Sequence, residues 1–285
     1  MEKLRISFLD FWPEFPDENI FLPILQKYFD VEETMSNPQI IIHSIFGGMK
    51  NTPKYKCKKI LFLGENWRPQ QFKSDYSISF DSPSETNFRL PLWQVFLMKK
   101  PELMDKLFNR VRWDSFDRFC SFTVSNPNNF FRNAAFEAIR KYKHVHSYGR
   151  YLVNDMGLHK ESQDKYWRDA KLDFFTRVKH KFAITYEHSS YPYYCTEKMM
   201  DGFLEGSIPI YWGSTKINQE FNDKAFINAM KLQNDKLIEY IKFIDNNEEE
   251  FQKIYSEPVF TEEQKTKLLE NIKNFEQWLI KIIKQ

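Results

Sequence analysis

The chain has 285 residues, a length that predicts about two domains with room for sizeable cores. Only 8 residues are glycine, and they complete neither the G-x-G-x-x-G dinucleotide motif nor a P-loop, so both kinds of nucleotide site are excluded. The net charge of +2 argues against a nucleic-acid binder that neutralises phosphates, and 3 widely spaced cysteines argue against a disulfide framework.

Aromatic residues make up 17% of the chain, which predicts a globular fold. The first residues are charged with no apolar segment after them, and no run of about 18 apolar residues occurs. We therefore expect neither a signal peptide nor a membrane span. The isolated cysteines suit a reducing compartment, so the expected location is cytoplasmic, with peripheral membrane contact as the alternative. The sequence leaves the oligomeric state open.

The first part of the chain predicts alternating strands and helices. A short apolar strand spans residues 4–8, and a helix with a 3.6-residue apolar period spans residues 20–29. Further strands are predicted at 39–45, 59–63 and 75–80. This order favours an α/β domain whose strands pair in parallel.

A charged segment from 98 to 117 interrupts this alternation, which then resumes. The later elements are strands at 119–124, 145–148, 182–186 and 208–212 and helices at 133–142, 196–205 and 237–244. The sequence therefore predicts one domain over residues 1–115 and a second over residues 116–260. Ligands of such α/β units bind at the carboxyl ends of the strands, so we expect the ligand between the two.

The last segment, residues 261–285, predicts one amphipathic helix. Thr261 and Gln264 have the spacing of a capping box at its start. The apolar residues that follow at helical spacing are Leu268, Ile272, Phe275, Leu279 and Ile282. A membrane-surface helix and a helix packed on the protein body both fit this pattern. Mixed acidic and basic residues on its polar face favour the packed helix.

Glu65 follows the predicted strand 59–63 after one intervening glycine, Gly64. Polar residues just past strand ends are where α/β folds place active sites. Partial burial there would raise the pKa of the Glu65 carboxyl and make it a usable general base. A solvated glutamate in a turn fits the same local pattern.

Two cations stand at predicted helix starts. Arg132 precedes the helix at 133–142, and Lys198 lies in the first turn of the helix at 196–205. A cation is unfavourable at the positive end of a helix dipole unless an anion binds between them. Both residues are therefore candidate anion-binding groups. An arginine turned toward an acidic neighbour is the alternative for Arg132.

The loop before Lys198 adds two candidates for binding a ligand. Tyr194 could stack on a base or a sugar, or could cover the sheet edge. Glu197 could accept hydrogen bonds from sugar hydroxyls, or could favour the helix N-terminus through its charge.

Three ordered segments carry specific motifs. Residues 182–214 read FAITYEHSSYPYYCTEKMMDGFLEGSIPIYWGS, with Tyr-Cys-Thr-Glu-Lys at their centre. Residues 63–66 with 75–81 form a second block, and residues 124–133 form a third. Together these blocks resemble the α-1,3/1,4-fucosyltransferases, glycosyltransferase family ten, and are most similar to the soluble bacterial-type members.

The resemblance implies a GT-B-type α/β fold, with two Rossmann-like domains facing each other across a cleft and the C-terminal helix docking back. The first domain would bind the acceptor and the second a GDP-sugar. The implied reaction is an inverting transfer of L-fucose from GDP-fucose to a hydroxyl, expected to be O3, of N-acetylglucosamine or glucose in a β-galactosyl glycan. The partners would then be the donor and a glycan, and no nucleic acid.

Carried over by position, the resemblance assigns Glu65 as the general base and Arg132 and Lys198 as the cations that bind the diphosphate. The other donor-binding positions that it implies are Tyr194, Glu197, His188 and Asn126. His188 stands where the family usually has asparagine. A related transferase that uses a different GDP-sugar is therefore an alternative, as is an inactive glycan- or nucleotide-binding module.

The sequence favours chemistry without a metal. His144 and His146 place two imidazoles on one face of a strand, but no third ligand accompanies them, which disfavours zinc. The chain has no Asp-x-Asp triplet, the motif that often holds a divalent ion on a sugar diphosphate in other glycosyltransferases. We expect no required cofactor, and a divalent cation to stimulate the reaction at most.

Overall fold

The computed structural model describes residues 1–232 and 234–285, and these divide into two compact units. The first unit contains Met1–Pro101 and Thr266–Gln285, and the second contains Glu102–Lys265. The second unit thus begins earlier than the sequence predicts.

Arg110 explains why the residues before position 116 belong to the second unit. Its buried guanidinium donates hydrogen bonds to the backbone carbonyls of Ile254, at 3.1 Å, and Ala225, at 3.2 Å. The indole of Trp113 likewise donates to the Glu205 carbonyl at 2.8 Å. These contacts tie the segment to elements far along the chain, which local sequence patterns do not reveal.

The first unit is built on a parallel sheet, with strand order β2-β1-β3-β4-β5-β6 in its described residues. The strands are β1 Glu2–Leu9, β2 Phe29–Glu33, β3 Ile40–His43, β4 Lys58–Phe62, β5 Tyr76–Ser79 and β6 Asn87–Arg89. Its helices up to residue 101 are α1 Phe15–Glu18, α2 Phe21–Gln26 and α3 Leu92–Lys99. The short 3-10 turns are Phe46–Met49, Thr52–Lys54 and Pro69–Gln71.

Burial explains why the central strands of this sheet form where the sequence predicts them. Ile40, Ile41 and Ile42 of β3 are buried, as are Ile60 and Leu61 of β4. Continuous apolar β-branched runs of this kind are typical of parallel strands covered on both faces. The edge strands β2 and β6 carry charged and polar residues, and the sequence pattern missed both of them.

The second unit also has a parallel sheet, with strand order β11-β10-β9-β7-β8 in its described residues. Its strands are β7 Arg118–Phe122, β8 Val145–Ser147, β9 His180–Ile184, β10 Ile208–Tyr211 and β11 Ile227–Asn228. Its helices are α4 Glu102–Phe108, α5 Phe130–Arg140, α6 Gly157–Glu161, α7 Trp167–Arg177, α8 Glu197–Leu204, α9 Asn234–Asn246 and α10 Glu248–Tyr255. Its 3-10 turns are Ile217–Gln219 and Ala229–Lys231.

The last helix, α11, spans Glu262–Lys284 and starts with the expected capping box. The Thr261 amide donates to the Gln264 side chain at 2.8 Å, and the Gln264 amide donates to the Thr261 hydroxyl at 3.2 Å. Phe275 and Leu279 are buried in the core of the first unit, beside Phe21. The packed-helix interpretation is therefore confirmed.

Candidate active site at the carboxyl edge of the second sheet

The strands β7, β9 and β10 run in parallel, so the segments that follow them meet at one edge of the second sheet. Helix α5 begins after β7, and helix α8 begins after β9. Most of the residues that the sequence selected lie in these segments. The edge therefore has the location expected of a ligand site in an α/β fold.

Arg132 is a buried cation in the first turn of α5. Its side chain is only 2% exposed, and its guanidinium donates to the backbone carbonyl of Asn126. Its Nε is buried and has no hydrogen-bond partner among the described residues. Burial lowers the pKa of Arg132, and the nearby charge of Glu187 opposes this shift. A buried guanidinium with an unused donor is prepared for an anion.

Asn129 fixes the start of α5. Its side-chain oxygen accepts the Arg132 amide at 2.9 Å, which caps the helix. Its side-chain nitrogen donates to the carbonyls of Glu187, at 3.0 Å, and His188, at 2.6 Å. One side chain thus ties the first turn of α5 to the loop after β9. The sequence missed this residue because it placed the helix start at 133, although an asparagine before an apolar helix is a typical cap.

Lys198 lies among carboxylates in the first turn of α8. Its ammonium is 3.0 Å from Glu197 Oε1 and 3.7 Å from Glu187 Oε2, and it donates to the Thr196 hydroxyl at 2.9 Å. Burial lowers the pKa of Lys198, but Glu197 and Glu187 outweigh it and the pKa is raised. Burial raises the pKa of Glu197, but Lys198 and Arg168 reverse this and the pKa is lowered. Both groups therefore remain charged near neutral pH.

Glu187 is a second residue to which the sequence pattern assigned no role. Its carboxylate accepts the Thr196 amide at 2.8 Å and the Thr196 hydroxyl at 2.6 Å. Thr196 occupies the N-cap position of α8, but its hydroxyl is directed to Glu187 and does not cap the helix backbone. The signal that could have revealed Glu187 is its place at the end of a buried strand, the same signal that selected Glu65.

The remaining donor-side candidates lie in the same segments of the second unit. Tyr194 is buried, and its carbonyl accepts the Tyr211 hydroxyl at 3.5 Å. His188 is half-buried beside Asn129. Asn126 is exposed, and its side chain accepts the Asn128 amide at 2.9 Å.

An aromatic stack borders this edge and had no counterpart in the sequence interpretation. Phe131, in the first turn of α5, stacks on Trp212 with ring centroids 5.2 Å apart, and Trp212 stacks on Tyr186 at 6.0 Å. Phe130 and Phe131 are exposed. Planar aromatic faces next to a buried cation suit a ligand that combines an anion with a ring.

Glu65 lies in the first unit, in the turn after β4. Its side chain is exposed, so the partial burial that the sequence suggested is wrong, and the alternative of a solvated glutamate describes it. Nearby, Arg68 pairs with Asp81 and its guanidinium lies 4.5 Å from the centroid of the Phe80 ring. These contacts order the segment around Glu65 and leave its carboxylate accessible.

The two histidines at the start of β8, His144 just before the strand and His146 within it, are not arranged as a metal site. The rings of His144 and His146 are 4.4 Å apart, and His146 Nδ1 is 3.5 Å from a carboxylate oxygen of Asp155. Within residues 1–232 and 234–285, no group of three or more His, Cys, Asp or Glu side chains is placed to hold a metal ion. Over the same residues, no helix combines the length and the apolar character needed to cross a membrane.

Comparison with known proteins finds matches in both units. Residues 6–96 match the family model described as the N-terminal domain of alpha-(1,3)-fucosyltransferase FucT, and residues 113–274 match the C-terminal model of glycosyltransferase family 10. A solved alpha1,3-fucosyltransferase with GDP-fucose superposes with a TM-score of 0.70 at 21% identity, covering 97% of this chain and 91% of that one.

The matches to two curated relatives cover only part of each relative. It is 25% identical to Alpha-(1,3)-fucosyltransferase FucT of Helicobacter pylori over 94% of the chain. It is 28% identical to Alpha-(1,3)-fucosyltransferase B of Drosophila melanogaster over 61% of the chain. The chain spans 63% of the length of the first relative and 34% of the second.

The two parallel sheets with their connecting helices, and the superposition on a solved transferase, define an α/β protein of the GT-B type. The two matched domain models together cover most of the described residues. The chain belongs to glycosyltransferase family 10, the fucosyltransferases.

Proposed function

We propose that this chain transfers L-fucose from GDP-fucose to a hydroxyl, O3, of N-acetylglucosamine or glucose in a β-galactosyl glycan. The observation that carries the proposal is the buried Arg132, whose unused Nε lies at the same sheet edge as Lys198. The charges of these two residues influence each other, as the lowering effect of Arg132 on the pKa of Lys198 indicates. Two cations at adjacent helix starts fit a diphosphate.

On the donor side, departure of GDP leaves negative charge on the diphosphate. Arg132, Lys198 and the backbone amides at the start of α8 stabilise this charge as it develops. Because Asn129 holds the start of α5 against the loop after β9, the cations are in place before the donor binds. In this proposal the two cations do the work of a divalent ion, and we expect transfer to persist in EDTA.

Around the diphosphate, three residues contact the rest of the donor in this proposal, and a fourth positions one of the cations. Glu197 accepts hydrogen bonds from fucose hydroxyls, and Tyr194 lies beneath the donor in the loop before α8. His188 replaces an amide by an imidazole beside the sugar, and Asn126 orients Arg132 through its backbone carbonyl. These roles follow the family positions, and the burial of Tyr194 and the depressed pKa of Glu197 support them.

On the acceptor side, Glu65 removes the proton from the acceptor hydroxyl as that oxygen attacks the anomeric carbon of fucose. The reaction is a single displacement, so the configuration at the anomeric carbon inverts. An exposed carboxylate can reach a bulky glycan hydroxyl, and a positioned base contributes about 10²–10⁴-fold to the rate.

A mass-spectrometric screen tests the proposal. The chain is incubated with GDP-fucose or with GDP-mannose against a panel of β-galactosyl glycans. We expect a deoxyhexose to be added from GDP-fucose to glycans that contain N-acetylglucosamine or glucose, and no product from GDP-mannose. Addition of a hexose alone would show that the donor is another GDP-sugar. Binding of GDP without any product would show an inactive binding module.

A further inference from the structure

Glu187 is a fully buried carboxylate that the proposed transfer does not use. Its side chain is 0% exposed, and both of its oxygens are engaged by Thr196. A Cβ added at Gly213 would lie 2.4 Å from Glu187 Cγ, so the chain also packs closely on the other side of the side chain. Burying a carboxylate is costly, and the cost is tolerable only where hydrogen bonds and an opposite charge compensate it.

The contacts of Glu187 connect both cations of the donor site. Its carboxylate holds Thr196 at the start of α8 and lies 3.7 Å from the Lys198 ammonium. Its backbone carbonyl accepts from Asn129, which in turn caps the helix that carries Arg132. A change at Glu187 therefore reaches both cations.

We propose that Glu187 is a positioning residue of the donor site, which sets the start of α8 and the charge around Lys198, and that it takes up a proton from solvent when a nucleoside diphosphate binds there. The inference rests on the proposed function in one respect, because it takes the ligand to be a GDP-sugar. The contacts of Glu187 on which the inference is based do not depend on which sugar or acceptor the protein binds.

The charges around Glu187 give the direction of the effect. Burial raises the pKa of Glu187 to about 7, while Lys198 and the Thr196 hydrogen bonds oppose the rise and Glu197 adds to it. Among the residues that the structure describes, Arg132 and Tyr211 are further ionisable groups that interact with it. A diphosphate brings further negative charge beside this carboxylate and favours its neutral form.

The proton has a defined place in this arrangement. When Glu187 is neutral, its Oε2–H donates to the Thr196 hydroxyl oxygen, 2.6 Å away. The Thr196 hydroxyl hydrogen is then released to donate to a diphosphate oxygen, and Lys198 loses one of its two competing carboxylates. Because binding takes up a proton, affinity is high below about pH 7 and falls as the pH rises.

Calorimetric titration of GDP-fucose, without acceptor, tests the proposal. GDP-fucose is the right probe because its diphosphate is esterified at both ends and does not itself titrate near neutral pH. Repeating the titration in two buffers of different ionisation enthalpy gives the number of protons taken up. For the unmodified chain we expect proton uptake, and an affinity that weakens several-fold, at most about tenfold per pH unit, between about pH 6 and pH 8.

Two variants separate this role from a merely structural one. Glu187→Gln keeps an acceptor for the Thr196 amide and replaces the titratable carboxyl by an amide. We therefore expect this variant to bind GDP-fucose without proton uptake and with an affinity that does not change between about pH 6 and pH 8. The matched control is Glu205→Gln, because Glu205 is also buried in the second unit with its pKa raised by burial to about 7, but is bonded to Ser121. The Glu205 variant should retain the proton uptake.

The outcomes are distinguishable. Binding without proton uptake by the unmodified chain, or unchanged uptake in Glu187→Gln, would overturn the inference while leaving the proposed function intact. Absence of binding by the unmodified chain would overturn the proposed function itself. If Glu187→Gln does not fold, the proton uptake should persist in Glu187→Asp and in His188→Asn, and its loss in His188→Asn would overturn the inference.

Discussion

At the carboxyl edge of the first sheet, Glu65 stands exposed in a turn, whereas at the same edge of the second sheet Arg132 and Glu187 are buried. Neighbouring groups hold a buried charge in one geometry. The free energy needed to desolvate that charge is compensated by interactions that form when the protein folds, before any ligand binds. An exposed carboxylate has little desolvation penalty and few neighbours that fix its position. The substrate must therefore bind in a position that brings its hydroxyl to the carboxylate. We infer that the second unit is prepared in advance for the donor, and that the first unit presents a base to acceptors brought to it.

The largest expected effect is at the exposed residue. Glu65→Gln should fold and bind GDP normally, because the side chain is solvated, but should lose transfer by about 10²–10⁴-fold. A radiolabelled transfer assay beside a GDP titration measures both properties. Glu85→Gln, which neutralises another exposed glutamate of the first unit, is the control and should transfer normally. If Glu65→Gln transferred fucose at the rate of the unmodified chain, Glu65 would not be the general base.

The next effect is at the buried cation. Arg132→Ala should reduce transfer by about 10²–10³-fold, the range found when one charge-stabilising donor is removed from an active site. Unlike Glu65→Gln, it should weaken GDP binding as well. Arg140→Ala is the matched control, since Arg140 is exposed, lies at the other end of α5 and pairs with Glu137. If GDP bound Arg132→Ala as tightly as the unmodified chain, the diphosphate site would lie elsewhere.

A smaller effect should come from the residue that holds the buried side together. Asn129→Ala should lower the free energy of unfolding by about 1–2 kcal/mol through loss of the α5 cap, as measured by urea denaturation. Asn247 caps α10 in a comparable way, since its side-chain oxygen accepts the Glu250 amide at 3.1 Å. Asn247→Ala removes this cap and serves as the control. Both variants should be destabilised, but only Asn129→Ala should also bind GDP more weakly. If Asn129→Ala and Asn247→Ala bound GDP with equal affinity, the Asn129 cap would not contribute to the GDP site.

The smallest effect is expected at His188. His188→Asn restores the family's usual residue and leaves the backbone carbonyl that accepts from Asn129 in place. Since one hydrogen bond contributes about 0.5–1.5 kcal/mol, the apparent KM for GDP-fucose should change by about 2–10-fold, with kcat little altered. Initial-rate kinetics at varied donor concentration measure this. A switch to another GDP-sugar on this single change would make His188 the determinant of the donor.

Much of the fold follows from local sequence patterns. The central strands β3 and β4 were predictable because they are buried apolar runs. The edge strands β2, β6 and β11 were not, because their residues are polar or their length is short, and pairing with a neighbouring strand holds them in place. Pairing is a property of the whole sheet, so a local pattern cannot supply it.

The candidate site divides in the same way. Arg132 and Lys198 could be selected from sequence because a cation at a helix start is a local contradiction. The position of Glu187 after a buried strand was a signal, but its role was not predictable, because that role depends on Thr196, which only the folded loop brings to its carboxylate. The error about Glu65 has a related cause, since the position after a buried strand does not decide whether the next turn is covered.

A crystal structure of the chain with GDP tests the central claim most directly. The account predicts diphosphate oxygens within about 3 Å of the Arg132 guanidinium and the Lys198 ammonium, at the start of α8. A diphosphate bound away from both cations, or held by residues of the first unit, would contradict it.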